Sequence, residues 1–275
     1  MPLFTDQTGR TVAIDHPTRI VSLVPSLTEL LHDLGLDEEV RGITKFCVHP
    51  RSWFRKKTRV GGTKQLHAAT IASLDPDLII ANKEENVKEQ VEALCDRYPV
   101  WISDIHNLRG ALEAIRNLGE ITGRKNEGVD LAEQVNAGFN RLSNYKATAF
   151  DGNGELRPRA AYLIWRDPYM TAGGDTFIHE MMQYAGLQNA FQHRNRYPAV
   201  TVDEMIGCDI ILLSSEPYPF TEKHKQALEE ILPGIPVLLV DGEIFSWYGS
   251  RLLQAPAYFE QLRPQVLSLI HAGNR

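Results

Sequence analysis

Residues 126–150 constrain the chain most. Leu131, Val135, Phe139, Leu142 and Tyr145 recur every third or fourth place with Glu133, Gln134, Asn140, Arg141 and Asn144 between them, the pattern of one apolar stripe on a helix. At 1.5 Å per residue, a helix of roughly 24 residues spans about 36 Å, close to the width of a small domain. Two glycines lie in it, each costing about 1 kcal/mol relative to alanine in a helix interior. Gly128 falls in the first turn, and Gly138 suits the close approach of a packed neighbour. Blocks of alternating strand and helix patterns lie on either side. The organisation expected is an N-terminal α/β lobe over 1–123, a backbone helix over 124–150 and a C-terminal α/β lobe over 151–275.

A chain of 275 residues with 43% hydrophobic side chains can bury sizeable cores. Its formal net charge of -6, with no basic run longer than Arg55, Lys56 and Lys57, argues against nucleic acid or an anionic lipid surface as partner. That run reads as a solvated turn. No apolar run reaches the length of a membrane span, so no membrane insertion is expected. Residues 1–10 lack a charged region followed by an apolar core. As written, the chain reads as a cytoplasmic monomer; with a leader removed, it reads as periplasmic or extracellular. Cys47, Cys95 and Cys208 are odd in number and far apart, which indicates neither a disulfide framework nor a zinc knuckle.

In the first block, 6–10 reads as a turn and 11–14 as a short edge strand. Residues 19–24 form a buried strand, and Ser26 with Glu29 has the spacing of a capping box. The helix so opened runs to Leu34, and Gly35 ends it. Strands follow at 40–44, at the end of 71–80 and at 100–103. Residues 82–86 cap a helix to about Tyr98, and 107–122 form another, closed by Gly123. In the second block a flexible turn at 151–154 leads to strands at 159–165, 209–213 and 235–240. Asp175 caps a helix over 176–185. A terminal helix starts at Arg251 and is kinked or restarted at Pro256 and Pro264.

No GxxxxGK[ST], GxSxG or HExxH occurs, and no GxGxxG follows a strand. Aromatic and charged side chains collect instead on loops at the carboxyl ends of the inferred strands, where open α/β sheets place ligands. The first block offers Phe46, Cys47, His49, Lys64, Glu84, Glu85 and Asn86. The second offers Trp165, Arg166, Tyr169, Glu216, Tyr218, Phe220, Trp247, Tyr248 and Arg251. Two such loop sets facing each other make a cleft for a flat, bulky small molecule. Cys47 and His49 are also of metal-ligating type, beside the simpler reading of a buried thiol and a hydrogen-bonded imidazole. Glu84 and Glu85 read as charges in a helix's first turn or as acceptors for a ligand. Trp165, Tyr169 and Trp247 read as packing under loops or as ligand walls. The planar fork of Arg251 suits bidentate capture of a ligand carboxylate or propionate.

Three stretches join the long helix in carrying a resemblance: Arg-Ile-Val-Ser-Leu-Val-Pro-Ser-Leu-Thr-Glu-Leu at 19–30, Val-Gly-Gly-Thr at 60–63 and Ile-Ala-Ser-Leu-Asp-Pro-Asp-Leu-Ile-Ile at 71–80. With them the sequence resembles the class III, helical-backbone substrate-binding proteins of ABC importers, whose members bind vitamin B12, haem, iron siderophores or metal ions. It is most similar to the branch that binds B12 and iron chelates, from Asp6 onward. The resemblance implies an α/β fold of two Rossmann-like lobes with parallel sheets, joined by one long backbone helix, with a ligand cleft between the lobes and only small closure on binding. It puts Phe46 where B12 binders carry a cleft aromatic and Thr63 where they carry a tryptophan. It puts the acidic permease-docking positions at Ala69 and Asp203, with Glu204 beside the latter.

The function so implied is a non-enzymatic receptor for a corrinoid, haem or siderophore-like metal chelate, in ABC-type uptake or intracellular handling, with an ABC permease as partner. No cofactor is obligatory, and cobalamin, haem, an iron chelate or a metal ion are the bound groups it admits. Two other functions stay open. One is a bare metal-ion binder using Cys47 or His49 with acidic residues. The other is an enzyme using His49 as base with Lys64 or Arg251 as electrostatic support.

Overall fold

The computed structural model describes residues 1–147 and 157–273. The chain divides into two compact units, Met1–Val135 with Tyr248–Arg251, and Asn136–Trp247 with Leu252–Arg275.

The first unit is built on a five-stranded parallel sheet in the order Thr58–Arg59, Val40–Ile43, Ile20–Ser22, Leu78–Asn82, Val100–Ser103. The winding direction reverses between Ile20–Ser22 and Leu78–Asn82, and the carboxyl ends flanking such a reversal are where open α/β sheets receive ligands. Both central strands are buried at every residue, as continuous apolar strands covered on both faces must be. The expected edge strand at 11–14 is Thr11–Ala13, which pairs with Leu3–Thr5 in a hairpin of its own rather than joining the parallel sheet. Asp6 holds its turn, Oδ1 accepting the N–H groups of Thr8 and Arg10 at 2.9 Å each. Of the basic run, Arg55 and Lys56 close a short helix, Arg51–Lys56, that the sequence pattern does not announce.

The second unit has a parallel sheet ordered Gln188–Asn189, Arg159–Trp165, Ile210–Ser214, Val237–Val240, with Met170–Thr171 antiparallel to Arg159–Trp165. Its winding reverses between Arg159–Trp165 and Ile210–Ser214. Leu163, Phe191, Ile211, Leu213, Phe220 and Leu228 are part of its core. The two-residue strands and the helices Val202–Met205, Glu222–Ile231 and Gly242–Ser246 are absent from the sequence reading.

Three helix starts differ from expectation because a side chain found another partner. Ser26 and Glu29 form no capping box: Val24 is the N-cap, Pro25 opens the helix Pro25–Asp33, and Ser26 lies inside its first turn. The helix expected from 82–86 begins only at Lys88, because Asn82 Oδ1 accepts the N–H groups of Glu84 and Glu85 at 2.9 and 3.0 Å and folds them into a separate turn. Glu84 and Glu85 are thus turn residues and not first-turn helix charges. Thr176 caps Phe177–Tyr184 in place of Asp175, whose carboxylate accepts the Arg196 N–H at 2.6 Å.

The helix expected over 126–150 runs as Lys125–Arg141, is interrupted at Leu142 and resumes as Ser143–Ala147. At the break Leu142 N–H reaches Phe139 O and Tyr145 N–H reaches Leu142 O, both at 3.0 Å, so tighter i to i+3 bonds replace the helical ones. Leu142 and Phe139 remain 1% exposed. The chain from 148 to 150 and the turn expected at 151–154 lie outside the described residues. The terminal helix is likewise divided, into a 3-10 turn at Ser250–Leu253 and Ala255–Gly273 with Pro264 inside it.

Both awkward glycines have a packing reason. A Cβ on Gly128 would lie 3.0 Å from Gly119 Cα and from Ile115 O, and one on Gly119 would lie 2.8 Å from Arg124 O and 2.9 Å from Gly128 Cα. The helices Leu108–Ile121 and Lys125–Arg141 therefore meet backbone to backbone. A Cβ on Gly138 would lie 2.9 Å from Pro256 Cγ. Since a methyl at Gly119 would collide with main chain that cannot rotate away, Gly119→Ala should destabilise the protein by about 1–3 kcal/mol despite alanine's better helix propensity. Urea unfolding with an unchanged m-value and a lowered midpoint is the expected reading.

Candidate functional site

At the carboxyl rim of the first unit, backbone groups leaving the sheet are tied together by two buried asparagines. Asn86 Oδ1 accepts Asn82 N–H at 2.9 Å, while its amide donates to Thr63 O at 3.1 Å and Leu23 O at 3.3 Å. Asn82 Nδ2 donates to Ser103 Oγ at 3.0 Å. Three strand ends and the loop at Thr63 are thereby tied together by side chains. Lys64 Nζ donates to Glu84 O at 2.6 Å, which commits this lysine to the loop. Phe46 projects from the next loop half exposed, at 50%, with Lys45 Nζ 5.1 Å from its ring centroid.

Cys47 and His49 part company in burial. The Cys47 thiol is fully buried, with the hydroxyls of Thr28 and Thr44 at 3.1 and 3.2 Å. Burial pushes it up from its ordinary value; the two hydroxyls pull it back and the charge of Glu85 adds to the rise. Such a thiol resists becoming the thiolate that a metal takes. His49 and Glu85 are each partly exposed. Among the described residues no group of three or more His, Cys, Asp or Glu side chains is placed to hold a metal ion. Sequence reasoning missed Asp104 and His106, which follow the last strand of this sheet. His106 Nε2 lies 2.8 Å from Asp104 Oδ1 and its Nδ1 lies 3.7 Å from Glu84 Oε1. The same carboxyl-end rule that picked the other loops would have found them.

Arg251 departs most from its expected role. Its Nε donates to Glu29 Oε2 at 2.9 Å and its Nη2 to Glu29 Oε1 at 2.6 Å, with only 11% and 15% of the two side chains exposed. The fork expected to hold a ligand carboxylate already holds one from its own unit.

In the second unit Trp165 ends the strand Arg159–Trp165 with 41% of its surface exposed. Tyr218, on the loop after the neighbouring strand, stands edge-on to it, ring centroids 5.6 Å apart at 71°. Tyr218 N–H donates to Ile164 O at 3.3 Å, and the ring packs on Phe220 at 4.7 Å. Tyr169 is partly buried against the core, its carbonyl accepting Val200 N–H at 2.9 Å. Arg166 Nε lies 3.7 Å from Asp167 Oδ2. Trp247, expected as packing under a loop or as a ligand wall, and Tyr248, a candidate ligand contact, are 5% and 7% exposed. Phe46 and Trp165 keep the most open faces among the predicted aromatics.

Glu216, two residues before Tyr218 on the same loop, is partly buried. Its carboxylate accepts hydrogen bonds from Ser246 Oγ and the Trp247 side chain, and Ser214 Oγ donates to its carbonyl at 2.6 Å. Tyr162 OH, fully buried, donates to Ser214 Oγ at 3.1 Å. Burial pushes the Glu216 carboxyl above its ordinary value; Ser246 pulls it back, and the charge of Glu243 adds to the rise. On the outer surface Asp203 is exposed, whereas Glu204 closes a capping box with Thr201 and pairs with Arg194. The Thr201 N–H, then Arg194, hold the Glu204 carboxyl below its ordinary range.

Two outcomes follow from these pairs. Glu29→Ala strips a buried guanidinium of its carboxylate and should cost about 3–5 kcal/mol, whereas the double change Glu29→Leu with Arg251→Met should recover most of the loss; chemical denaturation of the three proteins measures both. A carboxyl raised in the folded state binds protons more tightly there than in the unfolded chain. The Glu216 contribution is thus fully present below about pH 4.5 and lost as pH rises through the raised value. Melting temperatures of the wild type minus those of Glu216→Gln should fall across that window, and a flat difference would contradict the burial.

Among the described residues no helix is long and apolar enough to cross a membrane. Comparison with known proteins matches residues 20–232 to the periplasmic binding proteins. A vitamin B12-binding protein of Yersinia pestis is 23% identical over 256 residues, covering 91% of this chain and 87% of that protein. Among solved structures, a periplasmic haem-binding protein from Pseudomonas aeruginosa superposes with a TM-score of 0.76 at 20% identity, covering 90% of this chain and 93% of that one. The molybdate periplasmic binding protein MolA of Haemophilus influenzae, with molybdate bound, gives 0.78 at 16% identity, covering 98% and 93%. These likenesses in structure concern the fold. The chain belongs to the periplasmic binding protein family, with the fold of the class III substrate-binding proteins of ABC importers that its sequence resembles.

Proposed function

We propose that the chain is a non-enzymatic receptor for a bulky metal chelate of the corrinoid, haem or siderophore class, delivering it to an ABC permease from outside the cytoplasmic membrane. The observation that carries the reading is the exposure of two large aromatic faces, Phe46 on the loop after the parallel strand Val40–Ile43 and Trp165 at the carboxyl end of the parallel strand Arg159–Trp165. Exposed aromatics cost solvation unless a partner covers them, and a flat macrocycle or chelate is the partner that such faces suit. Family membership supports the receptor over an enzyme, and the names of relatives that bind vitamin B12 and haem support the chelate. The buried Cys47 thiol weighs against a bare-ion site on Cys47 and His49.

Contact with the permease is assigned to Asp203, which is exposed on the short helix Val202–Met205; Glu204 is engaged by Thr201 and Arg194, and Ala69 carries no charge. Of the four tryptophans, Trp53, Trp101 and Trp247 are buried, so quenching on ligand addition reports chiefly on Trp165. Titration with cyanocobalamin, ferric protoporphyrin and ferric hydroxamates should give quenching for at least one of them, with a dissociation constant of about 1 μM or below. Trp165→Ala should weaken that ligand by about tenfold while leaving the melting temperature nearly unchanged. No change in fluorescence or visible absorbance with any of the three would end the chelate reading.

A further inference from the structure

At the edge of the first unit's sheet, a cavity of about 600 Å³ opens between the strand Val100–Ser103, the helix Lys88–Cys95 and the turn that carries Thr8 and Arg10. Phe46 takes no part in its lining. One wall is a single helix face, since Lys88, Val91, Glu92 and Cys95 follow one another at helical spacing. Val91, 5% exposed, and Ile102 supply apolar surface. The opposite wall is held by Gln7. Its N–H donates to Ile102 O at 3.1 Å, its Nε2 donates to Gly110 O at 2.8 Å, and its Oε1 accepts the Asp104 N–H at 3.2 Å. The turn is thus fixed to the sheet edge before anything binds beside it. Both lysines of the lining face a carboxylate: Lys83 Nζ lies 2.5 Å from Asp104 Oδ2, and Lys88 Nζ lies 3.7 Å from Glu92 Oε1. Arg10 and Asp96 also line the cavity, and among the described residues neither side chain has a partner of opposite charge. The Arg10 guanidinium has Cys95 as its side-chain partner, Nη1 donating to Sγ at 2.7 Å. A thiol is a weak acceptor, so this contact orients the guanidinium and uses one donor of its fork.

We propose that this cavity is a second binding site, for a small apolar zwitterion of the amino-acid type, with the ligand carboxylate on Arg10, its ammonium on Asp96 and its side chain over Val91 and Ile102. The inference is independent of the chelate reading. Two solvated charges on a convex surface would mean nothing. These two border one concavity with an apolar lining, which is the composition of a small-molecule site, and its volume falls within the range of about 300–1,000 Å³ usual for such sites. Arg10 and Asp96 form no ion pair with each other, so the gap between them is open to a molecule that carries both complementary charges. The planar fork of an arginine suits a carboxylate. A carboxylate with no amine meets repulsion from Asp96, and an amine with no carboxylate meets repulsion from Arg10. Only a zwitterion gains at both ends, which is selection by repulsion as well as attraction. The shared chemistry is that of a free amino acid and of a dipeptide with both termini free, and the volume admits either.

Leucine and leucyl-leucine added to the full chain are the probes, followed by calorimetry and by alkylation of Cys95 with iodoacetamide. Cys47 and Cys208 are buried and Cys95 is only partly so, which makes labelling of the folded protein a report on this cavity. At least one probe should bind and slow the labelling in step with its occupancy. Tighter binding of leucine marks an amino-acid site, and tighter binding of leucyl-leucine a dipeptide site. N-acetylation or C-terminal amidation of the better probe should weaken it about tenfold or more. Arg10→Gln should weaken the zwitterion about tenfold and leave the amidated form unweakened; Asp96→Asn should weaken it about tenfold and leave the N-acetylated form unweakened. Both side chains are exposed, so the melting temperatures of the two variants should stay close to that of the wild type. The site is overturned by no binding of either probe at about 10 mM, by binding that leaves Cys95 labelling unchanged, by equal binding of the singly charged forms, or by full-strength binding in both variants.

Discussion

A parallel strand that leaves its sheet has N–H and C=O groups that the ladder no longer pairs, and burial makes leaving them unpaired expensive. Each unit answers with a buried polar side chain on the last residue of its strand at the winding reversal. Asn82 takes the N–H groups of Glu84 and Glu85, and Ser214 bonds the carbonyl of Glu216. Both residues are 1% exposed. The loops that follow are therefore fixed by the sheet itself rather than by whatever later binds to them. Asn86 extends the arrangement to Leu23 and Thr63, so neighbouring loops are hydrogen-bonded to one side chain.

Strands and helix ends were the legible part of this chain. Continuous apolar runs gave the sheets because both faces are covered, and Gly35, Gly123 and Gly186, each at positive φ, end helices where expected. The long helix was legible in its stripe but not in its break at Leu142, since Leu142 itself belongs to the stripe and periodicity carries no signal of a local i to i+3 bond. Local patterns failed wherever a distant partner outbid a near one. Ser26 and Glu29 have capping-box spacing, but Glu29 is bound by an arginine 222 positions away. No window of sequence contains that competition.

The candidate side chains show the same division. The rule that ligands sit at carboxyl ends picks out loops, and it does not separate open from covered side chains within them. Trp165, Trp247 and Tyr248 look alike in sequence, each an aromatic near a strand end, and differ in structure by what covers them. Arg251 was chosen for a chemistry it does perform, bidentate capture of a carboxylate, with the carboxylate coming from Glu29.

Affinity and selectivity have different sources on such a surface. Aromatic faces such as Phe46 and Trp165 gain from covering any flat apolar body, in proportion to area and with little regard to the metal at its centre. A receptor relying on them alone would accept corrinoid, porphyrin and aromatic siderophore alike. Discrimination needs a group whose interaction exists with one ligand and is absent with the others.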